Sequence, residues 1–278
     1  MGSFTECLSG GRRLLWLDSS AYAATLLAFD SVPWLEIGPY LAWMRKAQSL
    51  YRSDVISLPV GSIWDRWIEK SPALRASMGG RQRPVYPLRA LLRDTGLRDH
   101  LVELARAVRA SFTGVKFALT CPSPRSWVHE TYRCALSLPP EPEISSEELD
   151  KAGLYLADFL RSFRDCGPDI LLVQEAADVD LALDVKAGAY RSALNVAIGY
   201  NWDVGIHSFA GQTIRSADGI DFLIAPGPAR GAAWGQEISS GFWHGDPPPD
   251  WPSGGFRFAR IPVGVRPEQV LNRLELLR

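Results

Sequence analysis

Glu175 and His207 are the two residues of this 278-residue chain best suited, by type and position, to move protons. Each follows directly on a short apolar run: Ile170 to Val173 ends in Gln174-Glu175, and Val204 to Ile206 ends in His207-Ser208. A carboxyl group and an imidazole can both be tuned toward neutral pH by their surroundings, which fits them for general acid and base roles. The plainer alternative is that both simply close their strands. Asp18, ending the run Leu14 to Leu17, is a third acid–base candidate, or else only the cap of the next helix. Other residues are suited to holding an anion. Arg125 and Arg89 have the planar fork that clamps a carboxylate, Asp65 and Ser123 add polar contacts, and Trp64, Trp127 and Phe209 offer aromatic walls. Against this stand a surface arginine after a turn for Arg125 and ordinary packing for most of the ten tryptophans.

These residues gain meaning from the elements that carry them. The run Ile170 to Val173 is too short for a buried helix and opens after Gly167-Pro168, so it reads as a strand covered on both faces. Similar runs at Leu14 to Leu17, Asp54 to Val60, Val85 to Leu92, Val115 to Thr120, Val204 to Ile206, Gly219 to Ala225 and Phe256 to Val263 bring the expected strands to eight. Pro87 interrupts the third of them. Helical stripes alternate with the strands: Trp34, Ile37, Leu41 and Met44; Leu97, Leu101, Leu104 and Val108; Leu149 to Phe163 behind a capping box at Ser145-Ser146-Glu147-Glu148; and Val270 to Leu277 behind Pro267. The alternation predicts an α/β protein, a single (β/α)8 barrel spanning residues 1–278, whose ligands bind beyond the carboxyl ends of the strands. Residues 1–11 are expected to fray, 71–84 to form an exposed loop, and the Trp-, Gly- and Pro-rich segment 234–252 to be a lid or an irregular cover.

Composition narrows the function classes. Hydrophobic residues at 46% and charged residues at 22% are ordinary for a globule with a sizeable core. A formal charge of −1 argues against a general nucleic-acid binder. No run approaches the length of a membrane span. Cys7, Cys121, Cys134 and Cys166 form no CxxC pair and no secretory leader is read, so reduced thiols and a cytoplasmic location are expected. Cys121 reads as a buried structural thiol rather than a nucleophile. There is no GxSxG, P-loop or GxGxxG run to support a serine hydrolase, nucleotide hydrolase or Rossmann enzyme. The expected partner is a small-molecule carboxylate, and a homodimer is compatible with the chain.

Three stretches, LTCPSPRSW, LDKAGLYLADFLRSFRDCGPD leading into ILLVQEA, and NVAIGYNWDVGIHSFAG, resemble the barrel superfamily of uroporphyrinogen decarboxylase and cobalamin-independent methionine synthase, over roughly residues 100–278. The methionine synthase branch would imply zinc held by a His and a Cys at strand six, a Glu at strand seven and a Cys at strand eight. His207 fits the first of these, but Phe209 stands two residues on, the expected strand seven ends in Ala225-Pro226, and strand eight reads Arg260 to Pro262. Catalytic zinc needs three protein ligands, so no metal or other cofactor is expected. The decarboxylase branch implies a site without metal, built from arginine and a strand-end aspartate. The leading expectation is a cofactor-independent lyase, a decarboxylase of a small aromatic or planar carboxylic acid. The alternatives are transfer of a methyl or alkyl group to a thiol, and a catalytically silent barrel serving as a binding subunit.

Overall fold

A computed structural model describes residues 3–29, 31–80, 83–136, 142–175, 190–208, 219–228 and 231–278. Phe209 lies outside them. Eight strands run parallel: β1 (Leu15–Asp18), β2 (Val55–Pro59), β3 (Lys116–Pro122), β4 (Ile170–Glu175), β5 (Asp203–Ser208), β6 (Phe222–Ala225), β7 (Ala233–Glu237) and β8 (Phe256–Arg260). Their spatial order, β1-β8-β7-β6-β5-β4-β3-β2, is the chain order wrapped into a ring. The ring closes between β1 and β2 without a ladder. Asp54 N–H donates to the Leu15 carbonyl at 2.9 Å, and the Asp54 carboxylate and the Ser53 hydroxyl accept from Leu15 and Leu17 N–H at 2.8 and 2.9 Å. The molecule is a nearly closed (β/α)8 barrel.

The described helices are α1 (Phe4–Ser9), α2 (Ser20–Ala28), α3 (Ile37–Tyr51), α4 (Val60–Glu69), α5 (Pro72–Met78), α6 (Tyr86–Leu92), α7 (Thr95–Ser111), α8 (Pro124–Leu136), α9 (Ser146–Arg161), α10 (Arg191–Gly199) and α11 (Pro267–Leu277). The apolar stripe of α7 and the capping box of α9, where Ser145 and Glu148 satisfy each other's backbone N–H groups, form as the sequence predicts.

Because strand side chains alternate faces, each strand feeds two cores. Leu58, Phe117, Leu119, Leu171, Val173, Val204 and Ile206 point outward into the helical layer. Trp16, Val55, Ala118, Ile170, Leu172, Phe222, Ile224, Phe256 and Phe258 fill the barrel. Glycine at two inward positions makes room for this aromatic filling. A Cβ on Gly205 would meet Phe222 at 2.1 Å, and one on Gly235 would meet Phe256 at 2.5 Å.

Several expectations are corrected. Residues 3–11 do not fray. Ser3 and Glu6 form a capping box, Phe4 N–H and the Thr5 hydroxyl donate to Asp203 at 2.6 Å each, and the Phe4 ring sits 5.1 Å from both Phe222 and Phe256. The helix is a plug in the amino-terminal floor of the barrel. Burying such a ring is worth about 1.5–3 kcal/mol, enough to order a short terminus that composition alone leaves loose. Val85 to Leu92 is not a strand. Pro87 falls in the first turn of α6, where a missing N–H costs nothing, and Leu88, Leu91 and Leu92 then share its buried side. Residues 71–84 include the helix α5. The segment 234–252 supplies β7, whose only apolar inward residue is Ala233 beside Gly235, so it lacks a hydrophobic run; a 3₁₀ turn, Ser240–His244, follows and buries Trp243.

Candidate active site

The same alternation that fills the barrel with aromatics changes character at the carboxyl-terminal layer. Continuing each inward set one step places Asp18 on β1, Gln174 on β4, His207 on β5, Glu237 on β7 and Arg260 on β8 around the mouth. Contacts across the barrel confirm the placement. The His207 ring packs edge-on against Phe258 at 4.7 Å, and its Nε2 lies 3.7 Å from Glu237 Oε1, although β5 and β7 are not neighbours. Arg260 Nε lies 3.3 Å from Asp18 Oδ2, and Asp18 Oδ1 accepts from Ser20 N–H at the start of α2. His207 is fully buried; the Arg260 side chain is 42% exposed.

Electrostatics follow the geometry. Burial pushes the Glu237 carboxyl up, but the interaction with His207 and then the charge of Arg260 outweigh it, so its pKa sits below the usual carboxylate value. Asp18, Arg260, Glu237 and His207 thus form a chain of ionisable groups over an aromatic floor.

Glu175 belongs to a different place. In the β4–β5 register Gln174 lies beside His207 and Glu175 beside Ser208, so on these two strands the inward pair is Gln174 and His207 and the outward pair is Glu175 and Ser208. Glu175 is fully buried in the helical layer. It accepts hydrogen bonds from Ser123 Oγ at 2.7 Å and from the Tyr190 hydroxyl, with Ser126 Oγ at 3.5 Å. Burial raises its pKa against the opposing pull of these donors and of Arg125. The expected pairing of Glu175 with His207 is therefore corrected: they occupy opposite faces of the sheet. Ser123 and Arg125 go with Glu175, at the start of α8.

The remaining predicted residues disperse. Trp64 and Asp65 on α4 line a cleft of about 690 Å³ beside α8, together with Ser126, Glu130 and Glu175. Burial and Glu69 raise the Asp65 pKa. Glu130, open to solvent but recessed among protein atoms, is pushed up to about 7 by that recess and by Asp65. Trp127 is fully buried against Phe159 at 5.8 Å, a packing residue rather than a cavity wall. Arg89 lies on α6 over the Tyr155 ring at 6.0 Å and is not at a strand end, because its strand does not exist. The Cys121 thiol is buried and pushed up to about 12, which keeps it protonated.

Glu237 and Arg260 were not singled out by type or spacing. Arg260 was legible as the third inward position of Phe256-Arg257-Phe258-Ala259-Arg260; Glu237 was hidden by the weak apolar signal of β7. With β7 in place, the seventh strand ends in a carboxylate and His207 sits on the fifth strand rather than the sixth. Among the described residues no three His, Cys, Asp or Glu side chains converge so as to hold a metal, and His207 with Glu237 makes two of the three donors that catalytic zinc requires. Among the described residues no helix is long and apolar enough to cross a membrane.

No protein-family model matches the sequence, and no curated protein matches it. The fold class rests on the barrel itself, and any reading of function rests on the mouth.

Proposed function

We propose that the protein is a cofactor-independent lyase that decarboxylates a small aromatic or planar carboxylic acid at the barrel mouth. The observation that carries this reading is the inward polar layer. Four ionisable side chains on β1, β5, β7 and β8 stand above the aromatic filling of the barrel, and two of them, fully buried His207 and largely buried Glu237, carry a solvation cost that apolar side chains would avoid. Ionisable groups at the carboxyl ends of barrel strands are where such enzymes do chemistry.

In this scheme Arg260 meets the substrate carboxylate at the mouth. His207, oriented by Glu237, delivers a proton to the carbon that carries the carboxylate. The carbon–carbon bond then breaks, its electron pair stays with the substrate, carbon dioxide leaves, and solvent restores the imidazole proton. Gln174 lies beside His207 to contact the uncharged part of the substrate. The test is release of carbon dioxide from a panel of aromatic and other planar acids by wild-type protein and by Arg260→Gln. Turnover that falls mainly through a higher KM in the variant supports the scheme. Failure of every acid, or indifference to the substitution, would refute it.

A second reading, alkyl transfer to a thiol, draws on one observation: Glu237 approaches His207, giving two ligands of a zinc site. Zinc at one per chain in purified protein, lost in His207→Ala, would favour it over the lyase.

A further inference from the structure

We infer that the split between β1 and β2 is the ring pocket of this site and that it selects a hydroxylated aromatic acid, an inference that rests on the lyase reading above. The two strands share no ladder. Asp54 and Ser53 hydrogen-bond to the β1 backbone, Trp16 reaches Ser57, and between the strands beside these contacts lies a cavity of about 260 Å³ that runs from the barrel interior to α3. That volume is at the small end for ligand pockets and suits a compact ring system. Its inner wall is Trp16, Leu172 and Phe258, and its outer wall is Tyr40 and Met44.

The polar groups in the slot are neutral. Among the described residues lining it, Asp18 is the one charged side chain, and it stands at the mouth against Arg260. Deeper, the Thr120 hydroxyl donates to the Leu58 carbonyl at 3.0 Å. Trp16 Nε1–H donates to Ser57 Oγ at 3.1 Å, which fixes the indole across the split and leaves the Ser57 proton to be donated elsewhere. Half-buried Gln174 brings a carboxamide with both donor and acceptor. A ring hydroxyl matches this set, whereas a second charge on the ring would find no counter-ion there.

Phe258 links the slot to the chemistry, since it lines the cavity and also packs 4.7 Å from His207. Neither His207 nor Arg260 lines the slot itself, so a ring seated there, with its carboxylate toward Arg260, has to present the carboxylate-bearing carbon to His207 alongside Phe258. Protonation there breaks the imidazolium N–H bond and forms a C–H bond. The ring hydroxyl, through its oxygen lone pair, stabilises the positive charge. Loss of carbon dioxide returns the electron pair of the broken carbon–carbon bond to the ring and restores its aromaticity.

Binding of benzoate, 4-hydroxybenzoate and phenol, measured by calorimetry on the intact protein, tests the pocket separately from turnover. The pocket predicts that 4-hydroxybenzoate binds about tenfold tighter than benzoate, the value of one well-made hydrogen bond. It also predicts that Gln174→Leu, and independently Ser57→Ala, narrows the ratio below about threefold. Equal binding of the two acids, or a preference that neither substitution touches, overturns the pocket even if acids are decarboxylated. Phenol binding that depends on Gln174, without carbon dioxide released from any acid, supports the pocket and overturns the lyase reading instead.

Discussion

The two ends of the barrel use acidic side chains in opposite ways. At the amino-terminal end, aspartates are tied to the backbone. Asp54 accepts from Leu15 N–H, Asp169 from Phe117 N–H, Asp203 from Phe4 N–H and Asp221 from Val204 N–H, at 2.6 to 2.8 Å. Asp169 also meets Arg109 and Lys116 at 2.9 and 3.3 Å. At the carboxyl-terminal end, Glu237 meets His207 and Asp18 meets Arg260. A carboxylate that completes backbone hydrogen bonding between strands holds them together; one that faces another ionisable side chain at the barrel mouth is a candidate for binding a ligand. The lower end should therefore respond to mutation in stability and the upper end in activity.

The largest effect is expected at the floor. Phe4→Ala removes the ring that plugs the barrel and should cost about 3–5 kcal/mol by denaturant unfolding. A loss under about 1 kcal/mol would mean that the terminus frays as composition suggests. Asp169→Ala comes next. It strands the Phe117 N–H and leaves nearly buried Lys116 without this partner, and a loss of about 2–4 kcal/mol is expected with turnover per folded molecule unchanged.

What the sequence revealed divides along the same line. Strand-end positions were legible because short apolar runs, Leu14 to Leu17 and Val204 to Ile206, stopped abruptly in polar residues, so His207 and Asp18 were found. The face of each residue was harder to read. Glu175 and Gln174 are adjacent, both close the same run, and only the parallel register with β5 shows which of them looks inward. Val85 to Leu92 and Ala233 to Glu237 exchanged roles for a physical reason: a proline in a first turn mimics a broken strand, and a strand whose inward positions are Ala and Gly carries no hydrophobic signature. The count of eight held while one of its members changed, and Glu237 was lost with that member.

The outward carboxyl separates the two faces by pH. The folded-state pKa of Glu175 is raised, so its protonated form is favoured in the folded chain. Its stabilising contribution is complete below the ordinary carboxylate range and is lost as pH rises through the folded value. Glu175→Gln should therefore match wild type at acid pH, below the ordinary carboxylate range, and exceed it in stability near neutrality, in melts across that range. Glu237 has the opposite sign. Its depressed value stabilises above the ordinary carboxylate range, and that contribution is lost as pH falls through the folded value. The smallest effect belongs to Arg89, whose packing on Tyr155 predicts that Arg89→Ala changes kcat/KM less than about twofold and stability by under about 1 kcal/mol. A large KM effect would return it to the substrate.

The most direct measurement is the melting temperature of the double variant His207→Phe and Glu237→Leu, with its turnover on any acid that the wild type accepts. If the upper charges serve a ligand rather than the fold, apolar replacements of similar size should leave the melting temperature level or higher and abolish turnover. A fall of more than about 5 °C with turnover retained would show that these side chains hold the barrel together, and would contradict the proposal that the mouth is an active site.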